Sequence, residues 1–241
     1  MIARLAEFWD MIWPGMGNGL VITLQLSFGS LMIGLFIGFP VALARVYGPK
    51  WLQNLATAYV DILRGTPLLV QLFVIYYGLA DPSLNLLLTY IGLPDKFLTL
   101  PPFTAAYIAL GFNSSAYQAE YFRGAIQAIS QGQMIAARAL GMTRLQSIQT
   151  IIMPQALRLA LAPWSNEAAY MVKYTSIVYI IAVPDLFAEA RRIISAHYNQ
   201  MLMLPFVGLI YLIMVLIITW IMSKVEKRFE IPGLEVEAHR A

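Results

Sequence analysis

Leu204-Pro205-Phe206-Val207-Gly208-Leu209-Ile210-Tyr211-Leu212-Ile213-Met214-Val215-Leu216-Ile217-Ile218-Thr219-Trp220-Ile221-Met222 runs without a single charged residue. At about 1.5 Å of rise per residue, a helix of this length crosses the roughly 30 Å of hydrocarbon in a bilayer. Backbone N–H and C=O groups find no water in lipid, so a spanning segment is either a helix or part of a closed barrel. The apolar-polar alternation of barrel strands is absent, which leaves an all-α chain.

Four further apolar segments lie upstream, at about residues 20–44, 52–79, 103–126 and 157–182. The second carries Asp61 and Arg64 in its early part. Composition agrees with five spans. Of the 241 residues 59% are hydrophobic and 12% charged, against about 25% charged in a soluble domain. The net charge of +3 is no sign of nucleic acid, because the basic residues sit between apolar spans and read as topology signals. There is no cysteine, hence no disulfide framework and no thiolate metal site. The first residues mix Arg4 with Glu7 and Asp10 and show no small-residue cleavage site, so no removable signal peptide is expected.

With the N-terminus outside, Arg45, Lys50, Arg64, Arg123, Arg138, Arg144, Arg158, Lys224, Lys227, Arg228 and Arg240 fall on the cytoplasmic side. Arg4, Lys96, Arg191 and Arg192 fall outside, and Lys173 lies within the fourth span. That asymmetry obeys the positive-inside rule and puts the C-terminus in the cytoplasm. Trp9, Trp13, Trp51 and Trp220 suit interfacial anchoring. Gly34 and Gly38 form a G-x-x-x-G that permits close helix packing.

The inner connection reads Gly132-Gln133-Met134-Ile135-Ala136-Ala137-Arg138-Ala139-Leu140-Gly141-Met142-Thr143-Arg144 and continues to Ile151-Ile152-Met153-Pro154. Alanine favours helix with little bulk, and glycine permits a left-handed turn. The expectation is a short helix, a break at Gly141 and a second helix stopped at Pro154. Such a helix, with Arg138 and Arg144 projecting, suits a groove in another protein or a bed of lipid headgroups.

These residues resemble the type I permeases of binding-protein-dependent ABC importers, whose signature is E-A-A, three residues, G, nine residues, I-x-L-P. Ala136-Ala137, Gly141, Ile151 and Pro154 stand at that spacing, with Ile135 in place of Glu and Met153 in place of Leu. The resemblance implies that this segment is a coupling helix and that Ala136, Ala137, Arg138, Gly141 and Pro154 belong to the region that docks into an ATPase subunit. Two other stretches are similar to polar amino-acid permeases of that family. They are Asp61-Ile62-Leu63-Arg64-Gly65-Thr66-Pro67-Leu68-Leu69-Val70-Gln71 and Asn113-Ser114-Ser115-Ala116-Tyr117-Gln118-Ala119-Glu120-Tyr121-Phe122-Arg123-Gly124. The terminal Glu226-Lys227-Arg228-Phe229-Glu230-Ile231-Pro232-Gly233 also fits.

The resemblance thus implies one transmembrane domain over residues 1–241, with a core at about 18–225, in a bacterial inner membrane. It implies a translocation path for a polar or basic amino acid, with glutamine or glutamate as the alternative. Expected partners are ATPase subunits, a second permease chain (the same or a similar one), an extracytoplasmic solute-binding protein and membrane lipid, but no nucleic acid. The chain lacks G-x-x-x-x-G-K-[ST], so ATP and Mg²⁺ are expected on the partner ATPase, with no cofactor and no catalysis in this chain.

Ionisable groups within spans are costly and point to function. Glu167 and Lys173 lie in the fourth span, and helical geometry places Glu167, Tyr170 and Tyr174 on one face. Asn113, Tyr117 and Glu120 share a face of the third span. A pocket for an amino acid needs partners for a carboxylate and an ammonium, so Glu167, Asn113, Ser114, Lys173 and Tyr117 are the candidate substrate residues. Structural pairing of Glu167 and Lys173 is the competing reading. Glu120 has Arg123 three residues on, a spacing that permits an ion pair. An intramembrane enzyme built on Glu120, Glu167 and His197 lacks a recognisable catalytic arrangement such as H-E-x-x-H. An ion-driven transporter would leave the 136–154 pattern unexplained.

Overall fold

A computed structural model of the chain describes residues 2–80, 82–91, 99–197 and 200–229. Asp81, Lys96, Glu230, Ile231, Pro232, Gly233 and Arg240 lie outside the described residues, as do the side chains of Arg4, Glu7, Trp9, Asp10 and His197. The described secondary structure is entirely helical. It comprises α1 (Ile2–Tyr47), α2 (Lys50–Gly65), α3 (Leu68–Phe73), α4 (Pro82–Tyr90), α5 (Pro102–Ala128), α6 (Gln131–Ala139), α7 (Arg144–Ser147), α8 (Met153–Tyr174), α9 (Leu186–His197) and α10 (Gln200–Phe229).

Two of these are long and apolar enough to cross a membrane by themselves: Trp13–Tyr47 within α1, and α10. On α10, Leu209, Leu212, Ile213, Leu216 and Ile217 are exposed, while Met203, Val207 and Met214 are buried against Met16, Leu186 and Ile193. A helix with one apolar face buried and an equally apolar face uncovered is solvated by lipid. Trp13, Trp51 and Trp220 are exposed as well.

The second segment is not the single span expected for residues 52–79. Pro67 disfavours helical backbone at Thr66, which is extended at φ −114° and ψ 145°. The helix stops at Gly65, restarts at Leu68 and runs on through a π-helical turn at Val74–Gly78, so that the two arms meet at a bend of 104°. After it, Pro82 opens the short helix α4.

Pro154 does not stop the helix it sits in. Proline removes one N–H and crowds the preceding carbonyls, and here the chain widens into a π-helical turn over Ile148–Ile152 and continues as α8. A π turn is a known way for a helix to absorb such a defect. The continuation bends by 50° into α9 after the 3₁₀ turn Thr175–Ile181.

α5 occupies the centre. Its buried residues run all round the helix, among them Ala105, Ala109, Asn113, Ser114, Ala116, Gln118 and Ala119. Being shielded by its neighbours, it carries polar groups that a lipid-facing span could not. α1 lies parallel beside it, with Gly34 and Gly38 packed directly against it. A Cβ at Gly38 would stand 2.5 Å from the Ser115 carbonyl oxygen, and one at Gly111 would stand 2.6 Å from Ile33 Cγ2.

Gly38→Ala therefore forces backbone apart and is expected to cost about 1–3 kcal/mol, read as a lower midpoint of thermal unfolding in detergent. Gly208→Ala, which meets nothing within 4 Å, should leave the midpoint unchanged or slightly raised. Equal midpoints for the two variants would refute the close-packing account.

Candidate functional site

The bend at Thr66–Pro67 is held from inside by Gln71, which is 8% exposed. Its amide nitrogen donates to the Leu63 carbonyl at 2.6 Å and to the Thr66 hydroxyl at 2.9 Å, satisfying backbone that a broken helix leaves open. Asn113 Nδ2 on α5 donates in turn to Gln71 Oε1 at 3.1 Å. The two quoted stretches, 61–71 and 113–124, are thus one structure, in which an amide from each joins the bend to the central helix.

A cavity of about 390 Å³ opens at this bend, lined by Arg64, Gly65, Thr66, Pro67, Leu68, Asn113, Tyr117 and Tyr174. That volume lies within the roughly 300–1,000 Å³ of small-molecule sites. Of the sequence candidates, Asn113 and Tyr117 face it.

Glu167 does not. It is 2% exposed and accepts hydrogen bonds from Ser114 Oγ at 2.7 Å and Tyr121 Oη at 3.3 Å, so Glu167 and Ser114 stand behind the cavity wall. Tyr170 and Tyr174 share a face, as helical spacing suggests, with rings stacked at 6.0 Å. Glu167 turns inward towards α5 while these two tyrosines are exposed. Lys173 is exposed on α8, with its ammonium 4.2 Å from the centroid of the Tyr170 ring.

Several groups central to this arrangement were not singled out from the sequence. Gln118 donates to the Leu31 carbonyl and to Ser114 Oγ, both at 3.0 Å, and accepts from Trp164 Nε1 at 2.8 Å. One amide so joins α1, α5 and α8. Asp185 accepts from the Ala188 N–H at 2.9 Å and from Tyr211 Oη at 3.1 Å, tying the start of α9 to α10. A polar residue with no charge inside an apolar run was the available signal for Gln71 and Gln118, but its partners lie far off in sequence.

Glu120 does pair with Arg123, and α1 adds Arg45, whose Nη1 lies 2.6 Å from Glu120 Oε2. On the surface segment, Ser130 caps α6. Gly141 at φ +85° turns the chain in a left-handed conformation that favours glycine, and Thr143 and Gln146 form a capping box for α7. Ala136, Arg138 and Gly141 are exposed, as are the apolar Ile135, Leu140 and Leu145, and so is Pro154 at the foot of α8. Ala137 is 4% exposed and so does not lie at the surface. Its carbonyl accepts from the Met142 N–H at 3.2 Å. On α9, Arg192 pairs with Glu189 at 2.8 Å.

The chain matches the family described as binding-protein-dependent transport system inner membrane component over residues 30–231. It is 40% identical over 197 residues to the nopaline transport system permease protein NocM of Agrobacterium fabrum, covering 82% of this chain and 80% of that one. It is 34% identical over 229 residues to the glutamine transport system permease protein GlnP of Escherichia coli, covering 92% and 98%. Among solved structures, the crystal structure of an amino acid ABC transporter with histidines superposes with a TM-score of 0.79 at 35% identity, covering 95% of this chain and 98% of that chain.

Gln71→Leu removes the clamp on the bend while keeping bulk. It should cost about 1–3 kcal/mol for the unsatisfied carbonyl and raise amide hydrogen exchange across residues 66–73. Exchange unchanged from the parent would show that Gln71 does not hold the bend.

Proposed function

The chain belongs to the binding-protein-dependent transport system inner membrane components, and from that premise we propose how its geometry moves substrate. It is a membrane protein and the permease subunit of an amino-acid ABC importer. Such an importer works with ATPase and permease partners.

In the proposed reading, the cavity at the Thr66–Pro67 bend binds the amino acid, and this is the observation that carries it. Asn113 and Tyr117 touch the substrate, Tyr174 closes one side, and Glu167 and Ser114 hold the wall from behind. The chain forms one domain that crosses a bacterial inner membrane several times, with its N-terminus outside and its C-terminus in the cytoplasm. The gathering of Arg45, Arg64 and Arg123 at one end of the bundle supports this orientation.

A second permease chain, identical or similar, covers the face of α8 that bears Asn166, Tyr170 and Lys173. All three are exposed in the single chain, and a lysine facing lipid within a span is costly. ATP and Mg²⁺ bind to separate ATPase subunits, which dock on the exposed Ile135, Ala136, Arg138, Leu140 and Gly141. An extracytoplasmic solute-binding protein delivers a polar amino acid. Glutamine has the support of a relative that spans nearly the whole chain, and histidine that of the structural neighbour.

In the complex reconstituted with its ATPase and binding protein, Tyr117→Ala should depress uptake of labelled amino acid about tenfold or more and leave basal ATP hydrolysis intact. Glu167→Gln should likewise lower transport more than basal hydrolysis. Unchanged transport kinetics in both variants would remove the cavity from the translocation path. Arg138→Glu should weaken ATPase association and lower uptake together, measured by co-purification; full association would exclude Arg138 from the docking surface.

A further inference from the structure

The cavity has one charge in its lining, and that charge is incompletely used. Glu120 meets three arginines. Arg45 Nη1 lies 2.6 Å from its Oε2, and Arg123 holds both of its oxygens, with Nε 3.1 Å from Oε2. Arg64 Nη1 stands 3.9 Å from Oε2, beyond hydrogen-bond length.

No hydrogen bond joins the Arg64 guanidinium to any other described residue. It lies over the Tyr117 ring, whose centroid is 5.2 Å from Cζ. The Arg64 side chain is 39% exposed, against 11% for Arg45, and it lines the cavity. A guanidinium has five donors in a planar fork that fits a carboxylate with two parallel hydrogen bonds. Glu120 has no oxygen to spare for that geometry.

Resting on the reading of the cavity as the amino-acid site, we propose that Arg64 binds the substrate's carboxylate, exchanging its long-range pairing with Glu120 for direct hydrogen bonds. Asn113 supports the same pose. Its Nδ2 is committed to Gln71, and no donor among the described residues reaches its Oδ1, which is left to accept from the substrate's ammonium. The lining contains no carboxylate, so the cavity selects for an anionic group on its ligand. Arg45 and Arg123 remain on Glu120 and keep that carboxylate neutralised when Arg64 leaves.

The test is direct binding to the purified permease–ATPase complex without the binding protein, so that only the cavity is read. Labelled L-glutamine, L-histidine and L-arginine are each competed with the free acid and with the corresponding α-carboxamide. In the parent complex the acid should compete about tenfold better than the amide or more, since a site built for a charged hydrogen-bonding group rejects the analogue that lacks it. Arg64→Gln should weaken the acid and leave the amide nearly unchanged, bringing the two together. Arg64→Lys, which keeps the charge but loses the fork, should give an intermediate ratio and serves if the glutamine variant fails to assemble. A parent-like preference for the acid in either variant overturns the proposal. A parent complex that binds none of the three acids overturns the reading of the cavity itself, a pattern distinct from loss of carboxylate preference.

Discussion

Water does not reach the middle of α5, so each polar group placed there must be answered from within the protein. Ser114, Ser115 and Gln118 are fully buried, and their partners come from α1, α2 and α8: the Leu31 carbonyl, Tyr59 Oη, Trp164 Nε1 and Glu167. Measured side-chain hydrogen bonds between membrane helices average only about 0.6 kcal/mol. Their weight here lies in register, because an amide displaced by one turn would lose several partners together. Gly34 and Gly38 make the arrangement possible, since a Cβ at either would collide with Ser114, Gln118 or the Ser115 backbone.

The helix breaks follow from the same constraint. Where Pro67 interrupts the second segment, Gln71 answers the carbonyl groups set free, and the space between the two arms becomes the cavity. Where Pro154 stands ahead of the fourth, a π turn keeps the backbone continuous between the surface loop and α8. The helix is thereby continuous from α7 to α8, which carries Tyr174 of the cavity wall and Glu167 behind it. The loop meets α1 through Arg144, whose Cζ lies 5.9 Å from the Tyr47 ring centroid.

Much of the fold was legible in residues alone. The run at 204–222 reads as a lipid-facing helix because lipid leaves the backbone no alternative, and the G-x-x-x-G at Gly34 marks a contact that the structure contains. Legibility fell where one residue type serves two ends. Proline at 67 follows an extended Thr66 and ends a helix, whereas proline at 154 follows a π turn and does not. Glu167 was legible as a costly buried carboxylate, but its partners, Ser114 and Tyr121, sit on another helix. Arg64 read as a topology charge, and its place in the cavity wall appears only when the 104° bend is known.

The sequence by itself determined the membrane environment, the helical class, the charge asymmetry and the surface segment at 132–154. These follow from local composition and from spacing along one chain, where hydration cost and helical period act residue by residue. Only the tertiary structure decided which polar groups face a cavity and which face each other. That choice depends on distances between helices, and it set Asn113, Tyr117 and Arg64 on the open side while turning Glu167 and Ser114 into one another.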